Sequence, residues 1–251
     1  MTKEVSMNKI MTVLFSLCLL AVSYADITPE QVAMIESAAN QITTLSGKNF
    51  TVKMVSPELG KLLADQIATK SAQLGIPIQI SIQHFLLSNQ NGQQSCKVAL
   101  SDATPMKDAL EPQANSMLAS TGIGKMLSEV SFATLNQAAE LLLTSKDSFS
   151  LMKESPKSCD FSADQGLGTF AGMQVTSLKI RISKANQSLT GFILDMQDQS
   201  RLRGTLQMQQ KPDGDVFYPV RLKLESSLKK TIQGVSLPSV INAVFSEYQF
   251  Q

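Results

Sequence analysis

The residues able to do chemistry are few and scattered. His84 is the only histidine among 251 residues, so any nucleophile–imidazole–carboxylate relay would have to pass through it. It stands at the end of an apolar alternating run, and no Gly-x-Ser-x-Gly elbow accompanies it. A surface or hydrogen-bonded structural histidine is the plainer reading. Gly166-Leu167-Gly168 lacks the third glycine and the strand-to-helix setting of a phosphate loop. Asp195 and Asp198 with Glu225 offer a carboxylate pair for acid/base work, but carboxylates in turns and on strand faces are far commoner. With a single histidine and no Cys-x-x-Cys spacing, no metal site is expected. The inventory points away from an enzyme and calls for no cofactor.

Cys96 and Cys159 take their meaning from the start of the chain. Lys3 and Lys9 form a basic segment, Ile10–Val22 is apolar, and Ser23-Tyr24-Ala25 puts small residues where a leader is cleaved before Asp26. The apolar run is shorter than the roughly 20 residues a membrane span needs. Residues 1–25 therefore read as a signal peptide. The protein reads as exported, to a periplasm or outside the cell, with no transmembrane segment in its mature chain. An even pair of cysteines in an oxidising compartment is read first as a disulfide, Cys96–Cys159. The loop it would close is long enough to contribute roughly 4 kcal/mol in the chain-entropy model. Two buried thiols are the alternative. Asn49-Phe50-Thr51 and Asn186-Gln187-Ser188 match the N-glycosylation pattern, which has meaning only in a eukaryotic source.

Removing Lys3, Glu4 and Lys9 from 22 basic and 21 acidic residues leaves the two signs equal. A balanced chain carries no electrostatic footprint for nucleic acid. A chain of this length can bury enough surface for one good core. The expected organisation is one α+β domain over 26–251, helix-rich with one hairpin over 26–145 and mainly antiparallel strands over 146–251.

The elements around which the rest is arranged lie in Met173–Ser226. Leu178, Ile180 and Ile182 alternate with Lys179 and Arg181. Leu202, Leu206 and Met208 share one parity, as do Val216, Tyr218, Val220, Leu222 and Leu224. Short polar turns join these runs, among them Lys211-Pro212-Asp213-Gly214, so they predict an antiparallel meander. A long sheet apolar on one face must curl or be covered.

The earlier chain supplies covers. Thr28-Pro29-Glu30-Gln31 predicts a capping box opening a helix that Gly47 ends, and Ser56-Pro57-Glu58 predicts a second. Ile76, Ile78, Ile80 and Ile82 predict a strand turned at Asn89–Gly92 and returned by Cys96, Val98 and Leu100. Helix is expected from Thr104 to about Ser145, broken at Pro112 and Gly122/Gly124. Asp160–Gly172 reads as a polar loop, Pro238–Phe245 as a short helix, and Tyr248/Phe250 as a closing edge strand.

Leu189-Thr190-Gly191-Phe192-Ile193-Leu194-Asp195-Met196, with Arg201-Leu202-Arg203-Gly204 after it, resembles the later strands of periplasmic outer-membrane lipoprotein-carrier (LolA/LolB-like) proteins. Pro212-Asp213-Gly214-Asp215-Val216-Phe217-Tyr218-Pro219 and the closing Phe245-Ser246-Glu247-Tyr248-Gln249-Phe250 are similar to theirs too. The resemblance covers about 80 residues and implies an unclosed, curved antiparallel barrel whose helices lid an apolar cavity for acyl chains.

From strand parity, Leu178, Ile180, Ile182, Leu206, Met208, Val220, Leu222 and Leu224 are the candidate cavity lining. Nine of the 12 methionines lie beyond the leader and would suit an adaptable apolar pocket, although core filling explains them as well. The expected partner is a lipid or other hydrophobic ligand. The other reading is an envelope structural or protein-interaction module with a filled core.

Overall fold

The computed structural model describes residues 25–73, 75, 78–120, 127, 131–170, 172–212, 214, 216–229 and 236–251. In chain order the elements are β1 (Ala25–Asp26), α1 (Pro29–Ser46), β2 (Phe50–Val55), α2 (Pro57–Gln73), β3 (Ile82–Gln90), β4 (Gln93–Leu100), α3 (Lys107–Ser120) and α4 (Ser131–Thr144). Then come β5 (Ser150–Glu154), β6 (Ser158–Ala163), β7 (Thr169–Phe170), β8 (Met173–Ser183), β9 (Leu189–Met196), β10 (Arg201–Gln210), β11 (Phe217–Ser227) and β12 (Val240–Phe250). Eleven strands form one open antiparallel sheet in the order β1-β5-β6-β8-β9-β10-β11-β12-β2-β3-β4, with β7 paired to β8 off that path. The fold is the α+β arrangement of a sheet covered by helices. The leader expected over residues 1–25 lies outside the described residues up to 24, while Ala25 and Asp26 pair with Leu151 and Ser150.

The β8–β11 meander forms as its alternation requires, each strand antiparallel to the next. Its inner face carries a deliberate gap. Gly204 stands opposite Phe192, and a Cβ built there would lie 2.1 Å from the Phe192 ring. Only glycine lets that ring lie across the strand.

Helix α1 starts with both halves of its capping box. Gln31 N donates to Thr28 Oγ1 at 3.3 Å, and Thr28 N donates to Gln31 Oε1 at 3.0 Å. It buries Ile35, Ala38, Ala39, Ile42 and Leu45, packs along α4 and reaches β8 and β11. Three polar ties fix its lie. Lys146 pairs with Glu36. Gln41 Nε2 donates to the Asn186 carbonyl at 2.9 Å. Buried Asn89 on β3 donates to the carbonyls of Ser46 and Lys48, both at 2.8 Å.

Several expectations are corrected. The hairpin strand begins at Ile82, not Ile76. Ile78 and Ile80 carry no strand, residues 76 and 77 lie outside the described residues, and an irregularity between Ile82 and His84 makes Phe85 and Leu87 the buried parity. Pro112 lies inside α3 without ending it; Gly122 and Gly124 are outside the described residues. The expected polar loop from Asp160 contains the end of β6, then β7. The expected helix at Pro238–Phe245 is strand β12, where Ile241 and Ala243 are buried and Asn242 and Val244 exposed, a period of two. Nor is β12 an edge, because it joins β11 to β2.

The expected Cys96–Cys159 disulfide is not formed, and both thiols are free. Cys159 is on β6 and Cys96 on β4, with seven strands between them in the sheet. They also belong to different apolar clusters, whereas bridging requires Cα atoms within about 7 Å. Burial raises both thiols, Cys96 to about 12.

The border strand β4 is covered by α3 through side chains that imitate a neighbouring strand. Val98 N donates to Asn115 Oδ1 at 2.8 Å, and Asn115 Nδ2 returns a bond to Val98 O at 2.9 Å. Leu100 N donates to Glu111 Oε2 at 2.9 Å. Backbone groups that would invite another strand are thereby occupied.

Candidate functional site: an apolar cavity between sheet and helices

The buried side chains form two clusters. One gathers α1, α4 and β5–β10; the other gathers α2, α3, β2–β4 and β12. At the seam lies a cavity of about 230 Å³. Its wall takes residues from seven consecutive strands, β8 to β12 and then β2 and β3, so the sheet wraps around it. Helix α1 closes the other side with Ala38, Gln41, Ile42 and Leu45, joined by Leu141 and Leu142 of α4 and Leu59 of α2.

Six of the residues singled out by parity line this cavity: Leu178, Ile180, Leu206, Met208, Leu222 and Leu224. Two do not. Ile182 is fully buried in the cluster beside it, one strand-step beyond the wall. Val220 is displaced by a bulge: Gln207 pairs with Arg221 and Met208 with Pro219, leaving Val220 without an opposite residue. The bulge flips the parity of β11, so Pro219 takes the inward place that Val220 would have held. An aromatic followed by proline within a strand was the one signal available for that shift. Strand β12 was missed as wall because it was read as helix, yet it gives Ile241, Ala243, Phe245 and Tyr248. Of the described methionines only Met54 and Met208 line the cavity; Met106 and Met152 are largely exposed.

The wall has no charged side chain among the described residues, and only two polar ones, Gln41 and Tyr248. Tyr248 donates its hydroxyl to Pro219 O at 2.8 Å, and its burial holds the phenol well above its ordinary range, so it stays neutral. Its ring packs on Tyr218, with centroids 4.4 Å apart, and stacks on Phe250. Such a surface can hold a hydrocarbon by exclusion of water and has no group positioned to move a proton.

The residues weighed for catalysis stand apart from it. His84 Nδ1 is buried with no hydrogen-bond partner among the described residues. Desolvation, with Lys53 nearby, lowers its pKa. Asp195 pairs with Arg201 and Glu225 with Lys223, while Asp198 Oδ1 accepts from Ser200 N at 2.9 Å in a turn. Gly166 takes a positive φ in the loop before β7, and strands β7 and β8 follow it.

No known family description matches the sequence, and no curated protein does. Among solved structures the chain is similar to a LolA superfamily protein from Nitrosomonas europaea, with 10% identity and a TM-score of 0.44 over 87% of this chain and 92% of that one. It is also similar to an outer membrane lipoprotein-sorting protein domain from Vibrio parahaemolyticus, with 11% identity and a TM-score of 0.39 over 86% and 92%. A third is a DUF1329 family protein from Desulfovibrio piger, with 13% identity and a TM-score of 0.39 over 87% and 92%.

Proposed function

We propose that the protein is an exported, non-catalytic carrier that binds a lipid, acyl chain or comparable hydrophobic ligand between sheet and helices. The signal peptide and the single domain over 26–251 belong to this reading, as does a periplasmic or extracellular place of action. One observation carries it: the apolar cavity of about 230 Å³ enclosed by seven strands and α1. That volume is well above the roughly 150 Å³ of an apolar cavity that stays dry and takes up benzene. It falls below the roughly 300–1,000 Å³ of pockets for drug-sized molecules. A single narrow chain suits it better than a bulky ring system. A filled core, as in an interaction module, would leave no such space, since native interiors rarely hold voids larger than a water.

The test is organic extraction of the purified protein followed by mass spectrometry, with thermal melts in added fatty acid or fatty alcohol. Saturation at a hundredfold excess over Kd adds about 2.7 kcal/mol. For a domain of this size that raises Tm by roughly 5–10 °C. A clean extract together with an unmoved Tm defeats the carrier reading.

A further inference from the structure

On the side away from the cavity, the sheet turns to solvent a face whose charges do not balance. The outward positions of β2–β6 and β8–β12 carry nine lysines and arginines against four carboxylates. Every one of those carboxylates is engaged: Asp160 with Arg181, Asp195 with Arg201, Glu225 with Lys223 and Arg203, and Glu247 with Lys53. Lys97, Lys153, Lys179 and Arg221 make no ion pair among the described residues.

At one end of that face the excess meets exposed hydrocarbon. On one rung Arg221 stands beside Val244, and Val244 beside Val55. On the next, Lys53 stands beside Leu86, and Leu86 beside Lys97. Val55 and Lys53 are two residues apart on β2, so both rungs lie on the same face. Val244, Leu86 and Val55 are 46%, 41% and 37% exposed. Their chain neighbours Ala243, Phe85, Leu87 and Met54 are buried on the inner side, so regular alternation puts these three in water.

We propose that this patch seats the protein on the surface of an anionic phospholipid bilayer. The mixed composition selects that partner. A nucleic acid would answer Arg221, Lys53 and Lys97 and leave the aliphatic side chains wet. Headgroup phosphates answer the cations, while the acyl boundary beneath them covers Val244, Val55 and Leu86. Lysine, two of the three framing cations, is depleted from protein–protein interfaces. The proposal does not depend on what the cavity holds.

The test is co-sedimentation of the protein, recovered after export from its host, with sucrose-loaded vesicles. One set is equimolar phosphatidylglycerol and phosphatidylcholine, the other phosphatidylcholine alone. Binding is expected to the first set only, and to weaken as salt is raised. Each basic residue near such a surface contributes about fivefold, so Lys97→Gln with Arg221→Gln should weaken binding about 25-fold. Lys97→Arg with Arg221→Lys keeps the charge and should bind as the wild type does. Leu86→Ser with Val244→Ser should cost about tenfold, since less than half of each side chain is left to bury. All these positions are exposed, and the salt series on the wild type stands in for any variant that circular dichroism shows unfolded. Equal binding to both vesicle sets, or binding that survives Lys97→Gln with Arg221→Gln, overturns the proposal. So does a Leu86→Ser, Val244→Ser variant that binds unchanged, which would mark a general polyanion surface. No binding to either set also overturns it and leaves the patch to an acidic protein.

Discussion

Strand β8 and the pair β10–β11 present the same inner face of one sheet and meet different fates. Leu178, Ile180 and Ile182 on β8 are 3%, 3% and 0% exposed. Leu206 and Met208 on β10, with Leu222 and Leu224 on β11, are only half-buried, although their alternation is equally regular. Over β8 lie α1 and α4, while Phe161, beside Ile180 in the sheet, meets Phe149 edge-on with centroids 6.5 Å apart; Leu178 and Ile180 touch the cavity only at its border. Across from β10 and β11 lies the cavity. Alternation decides which side of a sheet a residue takes. It says nothing about whether another part of the chain will be waiting there.

The contrast breaks most directly by truncation. Ile182→Ala should cost about 2–5 kcal/mol, the loss for a side chain with no room to relax. Leu222→Ala should cost less than about 2 kcal/mol, because fewer neighbours surround it. Urea denaturation of both variants measures the difference; equal losses would show that the β10–β11 face is packed as well as β8.

Next in size is Gly204→Ala. The new methyl group would collide with the Phe192 ring, and overpacking of this kind costs about 1–3 kcal/mol. Because Phe192 is also cavity wall, ligand affinity should fall in the same variant. Stability lost with affinity kept would separate the ring from the site.

The contrast sharpens by filling. Leu222→Phe adds bulk where space exists and should raise stability by about 0.5–2 kcal/mol while blocking ligand uptake. Ile182→Phe should do the reverse and destabilise. A melting curve and a fluorophore displacement on each variant suffice.

The smallest effect lies on the outer face behind β8. The Arg181 guanidinium, bonded twice to Asp160 at 2.7 Å, holds that carboxyl below its ordinary range. A carboxyl with a lower folded than unfolded pKa contributes stability above the unfolded value near 4 and loses it as pH falls through the folded one. Asp160→Asn should therefore flatten the acid limb of the stability profile below about pH 4. At neutral pH it should remove less than about 1 kcal/mol, since Arg181 is largely exposed. No change in the acid limb would mean that solvent screens the pair completely.

Much of this architecture was legible in the sequence. The meander, the capping box of α1 and the inward parity of β8 and β10 follow from local patterns whose period matches their element. What escaped depends on register. The bulge at Val220 and the irregularity before His84 each move one residue past its partner, so the stretches on its two sides no longer share one parity while the composition is unchanged. Strand β12 escaped because Val240–Phe245 is a continuous apolar run broken only by Asn242, compatible with either period until a neighbour is known. The cysteine pair escaped for a related reason: compartment and count say that thiols can bridge, and only topology says they are far apart. The cavity was legible as a face, but whether helices fill the space over that face is decided by tertiary packing.

A sheet that never joins its own ends is a standing invitation to polymerise, and the amide of Asn115 and the carboxylate of Glu111 answer it at β4. They meet the backbone of Val98 and the N–H of Leu100 with groups that cannot be extended by another chain. The sheet can therefore stay open at this border without another strand adding at Val98 or Leu100, and the cover that prevents it comes from a helix of the same chain.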